Sequence, residues 1–135
     1  MKEFVVRLTR GQDLYKSIFD YCKENDISAG VVASGVGCLY EAKIRNAGGK
    51  EIRSFNEPLE IVSLMGTVSK DRLHLHISLS KADLSTIGGH LVEGCLVNTT
   101  CELVIIELEN FAFSKVFDET TGYNELLIKE IKKGE

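Results

Sequence analysis

Tryptophan is absent from this 135-residue chain, and proline occurs once, at Pro58. That scarcity excludes a collagen-like or proline-rich low-complexity chain. Long apolar runs are missing too. The least polar stretch, Ile27 to Leu39, is broken by Ser28, Gly30, Ser34, Gly35 and Gly37. It cannot supply the roughly 20 apolar residues of a membrane-spanning helix. The opening Met1-Lys2-Glu3-Phe4-Val5-Val6-Arg7 lacks the apolar core of a signal peptide. Cys22, Cys38, Cys95 and Cys101 form no C-x-x-C pair. Without export there is no oxidising compartment, so the expectation is four reduced, buried or half-buried thiols in a soluble, cytoplasmic protein. An excess of positive charge is also lacking. Sixteen Lys and Arg stand against 20 Asp and Glu, a net charge of −4. Such a chain gains little from non-specific attraction to nucleic acid or anionic lipid.

What is present is an ordinary globular composition, 44% hydrophobic and 27% charged. The length fits one domain, residues 1–135. Phe4 to Thr9 reads as a strand. Gly11-Gln12-Asp13 opens a helix whose apolar stripe is Leu14, Ile18 and Cys22, widened by Tyr15, Phe19 and Tyr21. Asp13 falls in its first turn, where the helix dipole favours a carboxylate. Ala29 to Ala33 reads as a strand, Ser34 to Gly37 as a kink or turn, and Cys38 to Arg45 as its continuation. Further strands are expected at Ile52–Phe55, Leu59–Val68, Leu73–Ser80, Glu102–Glu109 and Ala112–Phe117. Leu126 to Ile131 reads as a last strand or a turn of helix. Thr86 to Thr100, with Gly88, Gly89 and Gly94, reads as irregular or as several short strands. One main helix with six or more closely connected strands predicts an α+β domain. Its sheet should be mainly antiparallel with some mixing.

The three histidines are His74, His76 and His90. Leu73-His74-Leu75-His76-Ile77-Ser78-Leu79-Ser80 alternates without a fault. Leucines and isoleucine take the core face, and His74, His76, Ser78 and Ser80 take the other. Imidazoles at i and i+2 on one strand face can reach one metal ion. His90 follows Gly88-Gly89, which permits close backbone approach. A third imidazole from there would complete the set of an open zinc site, three histidines and an exchangeable water. Period-two alternation is equally satisfied by a solvated polar strand face, so spacing alone leaves both readings open.

Other signals are weaker. Gly35-x-Gly37 has Tyr40 where a dinucleotide-binding G-x-G-x-x-G needs its third glycine. Glu93, near His90, and Glu102 are candidates to orient a metal-bound ligand or to act as a base. Each also fits a solvated carboxylate or a partner for Arg7. Ser78 is a further neighbour of the histidines, and nothing marks it as a nucleophile. Lys129 and Lys132-Lys133 are interrupted by Glu130 and followed by Glu135, which describes a solvated tail.

Several segments together resemble the plant and prokaryote conserved domain, the PPC or DUF296 family. They are Arg7-Leu8 with Gly11-Gln12-Asp13, then Ser34-Gly35-Val36-Gly37, then Glu60 to Val68. His74-Leu75-His76-Ile77-Ser78-Leu79, Ile87-Gly88-Gly89-His90-Leu91, Gly94-Cys95-Leu96-Val97 and Thr99-Thr100-Cys101-Glu102 follow. The H-x-H strand followed by Gly-Gly-His-Leu is the most specific part. The resemblance implies an α+β domain assembled as a homotrimer, with His74, His76 and His90 as ligands of a divalent metal, zinc by type. A small anionic ligand at the metal is the associated expectation. Plant members join the domain to a DNA-binding hook, and prokaryotic members are often labelled DNA-binding by transfer. This chain contains no Arg-Gly-Arg-Pro hook, so with a net charge of −4 DNA is the less favoured partner. The Gly-Arg-Phe of plant members is replaced by Glu57-Pro58-Leu59.

Overall fold

A computed structural model describes residues 2–131. Strand β1 (Lys2–Thr9) leads into helix α1 (Leu14–Glu24), followed by β2 (Gly30–Arg45), β3 (Ile52–Phe55), β4 (Leu59–Val68) and β5 (Leu73–Ser80). Then come β6 (Thr86–Leu91), β7 (Leu96–Glu107), β8 (Phe111–Asp118) and β9 (Tyr123–Glu130). The fold is α+β and mainly β, as expected. Every strand pairing among the described residues is antiparallel, so the anticipated mixing is not found. The Lys132–Glu135 tail lies outside the described residues.

The helix forms where the stripe predicted it. Leu14, Ile18 and Cys22 are fully buried, while Tyr15, Phe19 and Tyr21 pack at the margin of the core. Asp13 is the cap itself rather than a first-turn residue. One of its carboxylate oxygens accepts from the Lys16 amide at 3.0 Å, satisfying a donor that no earlier carbonyl can reach. Its other oxygen accepts from the Gly94 amide at 2.7 Å, tying the helix start to the segment after β6.

The main sheet runs β1-β7-β2-β4-β5-β6, with β3 on β2 and a further β2–β6 pairing. That last contact closes the sheet on itself. Strand β2 pairs with β4 through Gly30–Leu39, and near its end Ile44 and Arg45 pair with Leu91 and His90. Pairing with both β4 and β6 requires a strongly bent strand. Of the kink or turn expected at Ser34–Gly37, the structure has the kink. β2 runs through as one 16-residue strand, with register shifts at Val32/Ser34, Gly37/Cys38 and Leu39/Glu41 against β7. Bulges of this kind bend and twist a strand without ending it.

Thr86–Thr100 is more regular than its glycines suggest. It supplies β6 and the start of β7, which follow one another along β2. Gly88 and Gly89 are there for closeness, not for a break. A Cβ on Gly89 would stand 2.6 Å from the Arg45 carbonyl oxygen, and one on Gly88 would stand 2.6 Å from that of Ile77. Of the strand or helical turn expected at Leu126–Ile131, the structure has a strand, β9, which starts earlier, at Tyr123, ends at Glu130, and pairs with β8 in a separate two-stranded sheet.

The core collects Leu14, Ile18, Leu39, Leu59, Leu64, Leu75, Ile77, Leu79, Leu91, Leu103 and Ile105. Each such side chain contributes about 1.5–3 kcal/mol by leaving water. Cys22, Cys95 and Cys101 are buried within it and Cys38 is half-buried; all four are free thiols. Burial pushes Cys22 up to about 12, and Cys95 and Cys101 to about 11, so none of these three is a ready thiolate. No helix among the described residues is long and apolar enough to cross a membrane.

Candidate metal centre

The alternation of β5 is realised as read. Leu73, Leu75, Ile77 and Leu79 are buried, and His74 and His76 project from the opposite face. The third imidazole arrives by strand pairing. His90 is the direct cross-strand partner of His76 in the β5–β6 ladder. The glycines before it allow β6 to fit between β5 and the end of β2. Ring centroids are 5.2 Å apart for His74–His76, 5.3 Å for His74–His90 and 5.7 Å for His76–His90. One nitrogen from each ring lies within 4.8 Å of the others. Zinc–nitrogen bonds of about 2.0–2.1 Å ask for a somewhat tighter triangle, within reach of small side-chain rotations.

The chemistry of the donors fits a cation. Burial pulls the His90 imidazole down to about 4, assisted by the Arg45 charge and by the other two histidines. His74 is also held below the usual imidazole range, by burial first and then by Arg72 and His76. Both are thus neutral near pH 7, the form that ligates. His90 Nδ1 is buried and makes no hydrogen bond. Such an orphan costs about 1–3 kcal/mol, and a bound cation is one partner that relieves it.

Ser78 lies beside the triangle. It shares with His74 and His76 a hollow of about 600 Å³, also lined by Met65, Thr67 and Gly88. Glu93 is near but not on the triangle. Exposed, it pairs with Lys16 at 3.7 Å and borders a different recess that His90 also lines. Glu102 is placed elsewhere, on β7 opposite Arg7 of β1 and Val36 of β2. The Arg7 guanidinium is itself engaged with Thr100 Oγ1 at 2.9 Å and the Thr99 carbonyl.

The structure adds residues that sequence reasoning missed. Arg45 stands opposite His90 across β2–β6. The β8–β9 hairpin folds back to bring Lys115, Tyr123 and Glu125 to a second hollow, of about 290 Å³, bounded by His74, His90, Arg45 and Arg72. Nothing in the spacing of these residues marked them. They converge only because the hairpin docks on the β4–β5 turn, where Ser69 Oγ lies 3.1 Å from the Phe113 carbonyl oxygen.

Comparison with known proteins agrees with this arrangement. A bifunctional protein GlmU of Synechococcus sp. (strain JA-3-3Ab) is 37% identical over 131 residues, 97% of this chain. The chain spans about a fifth, 21%, of that relative's length. Among solved structures, a Salmonella cholerae-suis protein is 33% identical with TM-score 0.92, covering 96% of this chain and 94% of its own. A protein of Archaeoglobus fulgidus described as metal-containing is 34% identical with TM-score 0.80, covering 94% of each chain. A Bacteroides thetaiotaomicron protein, provisionally described as DNA-binding, is 27% identical with TM-score 0.84, covering 93% of this chain and 91% of its own. The Plants and Prokaryotes Conserved (PCC) domain matches residues 1–109, so the chain belongs to that family.

Proposed function

We propose that this protein is a homotrimeric metal-binding member of its family. Each chain carries one divalent transition-metal ion, zinc by ligand type, on His74, His76 and His90. The carrying observation is the convergence of three imidazoles from two strands, with nitrogens inside 4.8 Å. The relative from Archaeoglobus described as metal-containing supports the same reading at 34% identity. Three protein ligands leave a fourth position exchangeable, where zinc can polarise a bound oxygen or lower the pKa of water towards 7. A small anionic ligand is the natural occupant of that position. Glu93 and Ser78 are the nearest of the expected candidates to orient it.

The test is elemental analysis of protein purified without a metal-affinity tag, beside the His74→Ala/His76→Ala double variant. About one metal per chain, lost in the variant, is expected. Metal-free wild type that also fails to take up added zinc overturns the reading.

Association of copies is supported by apolar surface left in water. Val5, Val36, Val62 and Met65 are all more than half exposed on the main sheet. The hairpin exposes Val116, Phe117, Leu127 and Ile128. An isolated two-stranded hairpin is marginal in water, and an assembly would cover the apolar side chains it exposes. Light scattering at micromolar concentration is expected to give three times the chain mass; a monomer defeats the trimer.

A second reading, a DNA-associated oligomer, takes its support from the description of the Bacteroides relative. Net charge −4 opposes it. Retention on DNA that weakens steeply with salt would support it, since phosphate contacts release counterions.

A further inference from the structure

We infer that the hollow between the histidine triangle and the β8–β9 hairpin is an oxyanion subsite, in which Arg45, flanked by Arg72 and Lys115, holds the carboxylate or phosphate end of a small ligand. The inference deepens the metal reading and rests on it for the ligand's other end, which faces the triangle.

The starting point is Arg45. Its Nε is buried and has no hydrogen-bond partner. Among the described residues no carboxylate lies within ion-pair distance of it. Its guanidinium carbon lies 5.9 Å from the centre of the Tyr123 ring. A guanidinium carries five donors in a fixed fork, and leaving the buried Nε–H unmet is costly. A structural arginine would be paired. This one is unpaired beside a hollow, and its backbone position is opposite His90.

The surroundings favour an anion. Arg45, Arg72 and Lys115 line the hollow against Asp71 and Glu125, three cations to two carboxylates before any metal charge is counted. This concentration of positive charge runs against the acidic balance of the whole chain. Arg72 is only loosely committed. Its guanidinium lies 4.0 Å from Glu125, and its side chain is 13% exposed. At about 290 Å³ the hollow sits at the small end of ligand cavities, so the ligand is a metabolite of a few heavy atoms. Bidentate recognition by arginine suits carboxylate and phosphate alike.

The distinguishing test is equilibrium dialysis with two labelled probes, inorganic phosphate and malonate, on zinc-loaded and metal-depleted protein. Zinc-loaded wild type is expected to bind one probe molecule per chain. Arg45→Gln should keep the wild-type metal content and lose affinity at least tenfold. Glu125→Gln, which removes the competing carboxylate, should bind more tightly than wild type. If Arg45→Gln fails to fold by circular dichroism, Arg45→Lys replaces it, with a smaller loss expected. Whichever probe shows the Arg45 dependence names the oxyanion. Neither probe binding, or binding unchanged in the folded Arg45 variant, overturns the subsite while leaving metal content to be judged separately. Arg45-dependent binding to protein that takes up no metal keeps the subsite and removes the metal reading.

Discussion

His76 and His90 are directly opposed across the β5–β6 ladder, their ring centroids 5.7 Å apart. Arg45 continues the same row on the far side of His90, and Met65 continues it on the far side of His76. Four strands thus contribute one residue each to a single line across the closed sheet. His74 stands two residues along β5 and completes the triangle. Because pairing registers fix these positions, the site is only as good as the β2–β6 closure.

Metal addition should therefore stabilise the fold. With zinc at one hundred times its dissociation constant, the expected gain is about 2.7 kcal/mol. Thermal melts with zinc and with a chelator should differ by several degrees. The difference should vanish in the His74→Ala/His76→Ala variant. An equal shift in that variant would place the metal somewhere else.

The depressed His90 imidazole makes stability pH-dependent in metal-free protein. Unfolded histidine takes up its proton near 6.5, whereas folded His90 does so only near 4. Between those values the unfolded state binds more protons, so stability falls as pH drops from 6.5 through 4. Melting temperatures measured across that window should decline less steeply in His90→Gln. Parallel curves for the two proteins would refute the assignment.

Gly89→Ala tests the closure itself. The added Cβ would stand 2.6 Å from both the Arg45 carbonyl oxygen and Ile44 Cγ2. Overpacking of this kind costs about 1–3 kcal/mol. Because the displaced strand carries His90, metal content should fall together with the melting temperature. A destabilised variant with full metal content would show that the triangle tolerates movement of β6.

Ser69 is fully buried, and it ties the hairpin to the β4–β5 turn. Its Oγ accepts from the Asp71 and Arg72 amides at 3.2 and 3.0 Å and lies 3.1 Å from the Phe113 carbonyl oxygen. Ser69→Ala leaves those amides and that carbonyl without this partner, at a cost of about 1–3 kcal/mol. Amide exchange should rise most in β8 and β9. Uniform exchange rates would mean the hairpin is held by its other contacts, among them the Phe113 amide donating to the Ser28 carbonyl at 2.8 Å.

Much of the site was legible in the chain. The H-x-H strand declares its own facing, because period-two alternation assigns Leu75 inward and His76 outward whatever else the protein does. The helix stripe of Leu14, Ile18 and Cys22 is equally local. Glycine was the ambiguous signal. Ser34–Gly37 reads as a kink or turn and Thr86–Thr100 as irregular or several short strands; the structure takes the kink, as bulges in a continuous β2, and the short strands, with Gly88 and Gly89 permitting close contact. Glu102 illustrates the same limit. Nothing local tells that its strand lies beside β1 and β2 rather than beside the histidines.

By itself the sequence determined the family, the α+β class, the reduced and buried cysteines, and the residue types available for a metal. Those follow from local periodicity, composition and motif. The tertiary structure alone decided that β6 pairs with both β5 and β2, setting His90 against His76 and Arg45. It alone brought the hairpin's Tyr123 and Glu125 to the same hollow. Contacts between residues 45 and 90, or 74 and 125, depend on strand register and closure. These are set by burial summed over the whole core, which no short stretch of chain encodes.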